Sequence, residues 1–356
     1  MHTCFFILQK RIWLIFGKEN VKGKGEKIMA FFQTIPGALI LLVVGFVGLI
    51  KGADFFVEGA SNVAKRFHVP TLIIGLTIVA MGTSLPETAV SISASLAGSN
   101  SLAISNVAGS NLFNLLVVVG LCCILQKVEV DQDTIRRDIP YSLLAAVVLI
   151  ILGMLGTSEG MVLGRMDGVI LLALFAFFLF LMIKSALKAA AGAKEMDEEE
   201  VTQSVVMSLV CIVGGAAAIA VGGDWVVDAA STIALKLGMT ETMVGLTIVA
   251  VGTSLPELVT SFVAARKGEV DMALGNAIGS NVFNILLVLG IESAISPIGF
   301  MMSNAVDIAA VIVATLVCWA VAAKNKSLGK VMGVIMVVSY FVYMVYVVMR
   351  ETGMLM

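Results

Sequence analysis

Two identical hexapeptides hold the residues with the greatest capacity for chemistry in this 356-residue chain: Gly82-Thr83-Ser84-Leu85-Pro86-Glu87 recurs letter for letter as Gly252-Thr253-Ser254-Leu255-Pro256-Glu257. Each sits inside a long apolar stretch, so each places a carboxylate and a helix breaker where a helix that only spanned lipid would carry neither. Thr83, Ser84, Thr253 and Ser254 add hydroxyl oxygens. Pro86 and Pro256 lack a backbone N–H and clash with the preceding turn, and Gly82 and Gly252 tolerate a break. Main-chain carbonyls around Ala80 and Met81, and around Ala250 and Val251, are therefore expected to be freed toward a cavity. Close helix packing by small residues would account for the hydroxyls alone, but not for two glutamates at equivalent positions in apolar runs.

A second polar element follows each hexapeptide. Asn106, Ser110 and Asn114 are spaced by four, with Gly109 and Asn111 beside them, and the pattern returns as Asn276, Ser280 and Asn284 with Gly279 and Asn281. Such spacing lines amide and hydroxyl groups along one helix face, with polar helix–helix adhesion as the alternative reading. Together the two elements make a centre of oxygens with two formal negative charges and no soft ligand. Hard cations suit such a centre, whereas zinc or copper calls for histidine or cysteine. Two carboxylates can neutralise one Ca²⁺ or hold several Na⁺ with help from neutral oxygens. Competition between those occupancies would couple one ion to the other, because an empty site leaves two unpaired charges at mid-membrane. The residue types leave open which cations compete. His2 and His68 are the only histidines, and Cys4, Cys122, Cys123, Cys211 and Cys318 show no CxxC spacing. The cysteines read as small buried hydrophobes. No nucleophile–base pair marks an enzyme.

The elements that position these groups must lie in a membrane. Hydrophobic residues make up 59% of the chain and charged residues 13%, with mean hydropathy +1.02, well below the charge content of about a quarter typical of soluble domains. A net charge of −2 implies no nucleic-acid partner. Apolar runs predict spans near 34–58, 71–97, 102–124, 139–157, 167–188, 204–229, 241–264, 271–291, 303–322 and 328–348. Alternate connections carry Lys65 and Arg66; Lys127, Arg136 and Arg137; Lys184, Lys188 and Lys194; Arg266 and Lys267; and Lys324, Lys326 and Lys330. The positive-inside bias puts these in the cytoplasm and both ends of the ten-span core outside, although lysines at 18, 22, 24 and 27 run against it. Residues 1–32 read as a non-core extension and 191–203, with its acidic run from Glu195 to Glu200, as a solvated cytoplasmic linker.

A shift of 170 residues aligns the halves without a gap over both polar elements. It also superposes Gly52, Asp54, Ala60, Ser61 and Ala64 on Gly222, Asp224, Ala230, Ser231 and Ala234. Five spans per half is an odd number, so the second half enters the membrane from the opposite side. The expected fold is an all-α membrane protein with ten transmembrane helices in two inverted-topology five-helix repeats, 33–190 and 204–356. Asp54 and Glu58, matched by Asp224 and Asp228, read as interfacial, and Asp307 has no assigned role.

GTSLPE followed by N-x-x-GSN-x-x-N, present twice, resembles the two alpha-repeats of the calcium/cation antiporter superfamily, most closely its microbial sodium/calcium exchanger branch. The strong match covers 71–120 and 241–290. The resemblance implies a secondary antiporter of the cell membrane that exchanges Na⁺ for Ca²⁺, with the lipid bilayer as its surroundings, no cofactor and no obligate protein partner. It implies that Glu87 and Glu257 bind the cations, and that hydroxyls of Thr83, Ser84, Thr253, Ser254, Ser110 and Ser280, carbonyls of Ala80 and Ala250, and Asn114 and Asn284 complete the sites. It also implies alternating access by sliding of the first helix of each repeat against the others. Asn284 departs from the aspartate that several members carry there, which weakens the case for potassium co-transport. Proton/calcium antiporters share the architecture, so H⁺ stands as the alternative coupling ion. A passive cation channel would not need the inverted duplication.

Overall fold

The computed structural model describes residues 30–96, 103–156, 160–192, 203–239, 244, 248 and 250–351. Most of the expected N-terminal extension and of the acidic linker lies outside these residues. Helix α1 is Ile35–Phe67; α2 runs over 71–96, through a π segment at Gly75–Val79; α3 is Ala103–Leu125 and α4 Thr134–Leu155, each with a π segment; α5 is Arg165–Gly192. After the linker come α6 (Val205–Lys236), α7 (Leu255–Arg266), α8 (Val270–Ile295), α9 (Met302–Asn325) and α10 (Lys330–Glu351). Eight of these, all but α2 and α7, are long and apolar enough to cross a membrane, and the apolar part of α2 is the shorter stretch Thr71–Leu85. The chain is a multi-pass membrane protein.

Equivalent caps start the first helix of each half. Gly37 N donates to Thr34 Oγ1 at 3.2 Å and Met207 N to Ser204 Oγ at 3.3 Å, each satisfying one of the orphan N–H groups of a helix start. Helix α1 ends at His68 in the left-handed region (φ 54°), after Lys65 and Arg66 in the last turn, where cations complement the helix dipole.

Helices α1 and α6 cross along a stripe of glycines placed two turns apart. A Cβ on Gly45 would lie 2.9 Å from Gly222 O, and one on Gly222 would lie 2.7 Å from Gly45 O. Gly52 and Gly215 repeat the arrangement at 2.9 and 2.7 Å. Any side chain there would force the backbones apart, so the sequence permits a close approach that packs by dispersion where lipid offers no hydrophobic drive.

Burial separates a centre from a periphery. In α3 and α8, 78% of the apolar window is buried, against 28% in α1 and 22% in α6. The exposed faces of the outer helices carry Val43, Val213, Val331 and Phe341, a surface suited to hydrocarbon. Around the centre the halves interlock: α8 packs on α5 and α2, α3 on α10, and α4 on α9. Two short antiparallel pairs tie connections together. Strand β1 (Val128–Glu129) pairs with β4 (Ser327–Leu328), and β2 (Val162–Leu163) with β3 (Ile298–Gly299).

Some acidic residues find structural partners. Arg350 grips Asp307 at 2.8 and 3.2 Å. Lys267 Nζ donates to Asp54 O at 2.8 Å and sits 3.6 Å from Asp54 Oδ1. Gln203 donates to Glu58, and Ser61 Oγ to Glu269 Oε1 at 2.5 Å. Cys122, Cys123 and Cys318 are buried and free, and Cys211 is free and half-buried.

Candidate functional site

The two hexapeptides arrive at the centre in different local conformations. Helix α2 runs helical through Gly82 and Pro86, its irregularity lying one turn earlier in the π segment at Gly75–Val79. In the second copy the helix is interrupted: Ala250–Gly252 is a short helical turn, Thr253 and Ser254 form a turn, and α7 starts at Leu255 with Pro256 in its first turn. Proline fits a first helical turn because its missing N–H would have had no partner there. The glycines also make room for neighbours. A Cβ on Gly82 would lie 2.5 Å from the Phe56 ring of α1, and one on Gly252 would collide with Val227 of α6.

Glu87 on α2 and Glu257 on α7 are buried, 6% and 1% exposed, and interact electrostatically with each other. Glu87 Oε1 accepts from Asn106 Nδ2 at 3.1 Å and from Ser110 Oγ at 2.9 Å, both on α3. Glu257 Oε1 accepts from Ser84 Oγ of the opposite half at 3.0 Å, and Ser84 pairs with the Ser280 hydroxyl at 3.2 Å. Thr83 Oγ1 lies 3.2 Å from Val79 O, Ala80 O and Asn276 Oδ1. Asn276 Nδ2 in turn donates to Ser261 Oγ at 2.9 Å.

Below the carboxylates, four asparagines clasp α3 to α8. Asn111 Nδ2 donates to Asn281 O at 3.2 Å, and Asn281 Nδ2 to Asn111 O at 3.1 Å. Asn114 Nδ2 donates to Asn281 Oδ1 at 3.2 Å, and Asn284 Nδ2 to Asn111 Oδ1 at 3.3 Å. Each bond is exchanged for the other by the 170-residue shift.

What the clasp leaves over is acceptor capacity. Glu87 Oε2, Glu257 Oε2, Asn114 Oδ1, Asn284 Oδ1 and Ser254 Oγ are buried oxygens with no hydrogen-bond partner. An unsatisfied buried polar group costs about 1–3 kcal/mol, more when charged. A dehydrated cation would satisfy such oxygens, and two carboxylates with neutral oxygens are a hard-cation ligand set. Among the described residues no cluster of three or more His, Cys, Asp and Glu forms a metal cage.

Of the residues expected from sequence, Glu87, Glu257, Thr83, Ser84, Ser110, Ser280, Asn114 and Asn284 meet at this centre, with Ser254 buried close to Glu257 in the chain. Ala80 presents its carbonyl to Thr83. Thr253 is half-buried in the turn, and the side chain of Ala250 lies outside the described residues. Three roles were not read from the sequence. Asn276 bridges Thr83 and Ser261, Asn111 and Asn281 centre the clasp, and Glu292 is a further buried acid. Asn111 and Asn281 were visible as duplicated letters one step off the assigned helical line, Asn276 as a member of that line, and Glu292 as one charge within an apolar run.

A bundle of apolar helices around a buried, oxygen-rich, doubly acidic centre defines a membrane transport protein for cations. Comparison with known proteins specifies the family: the sodium/calcium exchanger protein family matches residues 37–184 and 207–349, and the chain belongs to it. It is 40% identical over 264 residues to the putative antiporter CaxA of Alkalimonas amylolytica, covering 73% of this chain and 81% of that protein. It is 33% identical over 291 residues to the sodium/calcium exchanger MaX1 of Methanosarcina acetivorans, covering 73% and 83%. The solved sodium/calcium exchanger of Methanococcus jannaschii superposes with a TM-score of 0.76 at 31% identity, over 88% of this chain and 99% of that one.

Proposed function

We propose that the protein is a secondary antiporter of the cell membrane that exchanges Na⁺ for Ca²⁺ by alternating access at a site shared by Glu87 and Glu257. The observation that carries this reading is the set of five buried, partnerless oxygens, two of them on carboxylates, at the junction of the duplicated elements. Thr83, Ser84, Ser254, Ser110, Ser280, Asn114 and Asn284 would supply the neutral ligands, with the carbonyls of Ala80 and Ala250 and the hydroxyl of Thr253 completing the sites. An unloaded centre keeps its charges uncompensated in a low-dielectric interior, so reorientation is favoured only with cations aboard. That restriction is what makes an exchanger rather than a leak.

The same reading takes α1–α10 as ten spans in two inverted repeats with both core ends extracytoplasmic. Two features support it. The clasp bonds and the α1–α6 glycine contacts come in reciprocal pairs under the 170-residue shift. The observed pairings join connections that ten spans place on the same face, β1 with β4 and β2 with β3, and Lys267 and Gln203, in connections placed on the cytoplasmic face, reach Asp54 and Glu58 in the second half of α1. Helices α1 and α6, packed on each other by glycines and with less than a third of their apolar windows buried, are suited to slide as one body past the buried core.

Calcium uptake into proteoliposomes under imposed ion gradients tests this. An outward Na⁺ gradient at clamped pH is expected to drive uptake. Uptake driven by a pH gradient alone would replace Na⁺ by H⁺ as the coupling ion, and uptake indifferent to every counter-ion gradient would make the protein a channel.

A further inference from the structure

Glu292 breaks the two-fold pattern of the chain. It lies in the last segment of α8, Leu289–Ile295, and is 1% exposed. The 170-residue shift places Cys122 of α3 at the equivalent position and Ser261 opposite Ser91. Both pairs are kept in contact: Ser91 hydrogen-bonds the Glu292 carboxylate, and Cys122 Sγ lies 3.8 Å from Ser261 O. The surroundings are thus duplicated while the acid is not. A neutral thiol fills the space near the β1–β4 side, and a carboxylate fills it near the β2–β3 side. Packing alone does not explain the difference, since a buried carboxylate is the costlier occupant.

The location of Glu292 is informative. Ser91 is one helical turn beyond Glu87 on α2, so both lie on one face leading from the exchange site toward the β2–β3 side. Glu292 interacts electrostatically with Glu87, whose Oε2 is buried without a hydrogen-bond partner. The opposite face of α8 is closed by α5, where a Cβ on Gly168 would lie 2.5 Å from Ala294 N and 2.6 Å from Gly290 O. Carboxylate and hydroxyl oxygens are the ligand types a divalent hard cation takes, and Glu292, Ser91 and Glu87 would supply part of the about 6–8 that Ca²⁺ uses.

We propose that Glu292 and Ser91 form an accessory Ca²⁺ station on the β2–β3 side of the exchange site, handing the ion between Glu87 and the extracytoplasmic face. The station has no counterpart on the cytoplasmic side, where Cys122 and Ser261 stand. This inference rests on the exchange reading above.

The test is sided. Sodium-driven Ca²⁺ exchange by the full chain is measured in right-side-out and inside-out membrane vesicles, with Ca²⁺ varied on the outer medium. Glu292→Gln is expected to raise the half-saturating Ca²⁺ about tenfold at the extracytoplasmic face, as loss of a charge-assisted ligand would, and to leave the cytoplasmic value unchanged. Glu292→Asp, which keeps the charge, is expected to give a smaller shift at the same face and carries the test should the glutamine variant not fold. An equal shift at both faces, or none, overturns the station. Glu87→Gln run in parallel separates the two readings: if it retains exchange, the exchange site itself is misassigned; if it abolishes exchange while Glu292→Gln matches the native protein on both faces, only the station fails.

Discussion

Glu87 and Glu257 occupy equivalent positions in sequence yet keep different company. The first is held by Asn106 and Ser110 of its own half, the second by Ser84 of the other half. Each uses one oxygen for protein hydrogen bonds and keeps the other buried without one. Replacing either by glutamine removes a formal charge from the ligand set. Loss of a charged contact is worth about 1.5–3 kcal/mol, and 1.4 kcal/mol is tenfold, so Glu87→Gln and Glu257→Gln should each lower Na⁺-driven Ca²⁺ flux by at least about tenfold. Wild-type flux in both would remove these residues from the site. The asparagine clasp makes a separate prediction about stability. Asn111→Ala strands the Asn284 Nδ2 donor and the Asn281 carbonyl, Asn284→Ala strands the Asn111 Oδ1 acceptor, and each should cost about 1–3 kcal/mol in detergent unfolding. Because the two share the Asn284–Asn111 bond, the double variant should cost clearly less than the two single costs added together; strict additivity would mean that this bond of the clasp is not formed.

At the scale of elements, the molecule separates a buried pair, α3 and α8, from a peripheral pair, α1 and α6. The glycine stripe allows α1 and α6 to touch backbone to backbone, while Phe56 and Val227 press on Gly82 and Gly252 in the hexapeptides. Under the proposed mechanism, movement of the outer pair would be felt at the duplicated hexapeptides. Gly215→Val inserts a branched side chain where even a Cβ would sit 2.7 Å from Gly52 O and Phe56 N. We expect exchange turnover to collapse while equilibrium Ca²⁺ binding to the purified protein persists, since none of the site oxygens is touched. Equal loss of binding and turnover would show that the stripe shapes the site rather than its motion.

For the whole molecule, the pairings between connections predict a sidedness that can be measured directly. In a variant without native cysteines, a single cysteine at Ser327, in β4, should react with an impermeant maleimide only in inside-out vesicles. One at Met161, beside β2, should react only in right-side-out vesicles. Labelling of both from the same face would contradict the ten-span arrangement. The two halves are also not mirror copies in detail: the helix is continuous at Pro86 and interrupted before Pro256, and Asn276 turns to Ser261 where Asn106 turns to Glu87. The proposed inverted-repeat arrangement would need this inequality, because two such repeats in the same conformation would present the site equally to both faces.

Much of this was legible in the sequence because membranes constrain sequence strongly. Apolar run length sets where helices cross, a carboxylate in such a run is too costly to be incidental, and a duplicated GTSLPE with its asparagine-rich partner is specific enough to name the family. Relations between helices far apart in the chain were not legible. Periodicity places Asn106, Ser110 and Asn114 on one face but does not say that Asn111, a step away, grips Asn281, or that Ser84 answers Glu257 rather than its own Glu87. Nor does a proline in a motif decide whether the helix breaks there. Pro86 is carried inside a helix after a π segment, whereas Pro256 starts one. Composition and spacing determined which residues had to be solvated by something other than lipid; only the packing of one half against the other decided which oxygens satisfy one another and which are left for a cation.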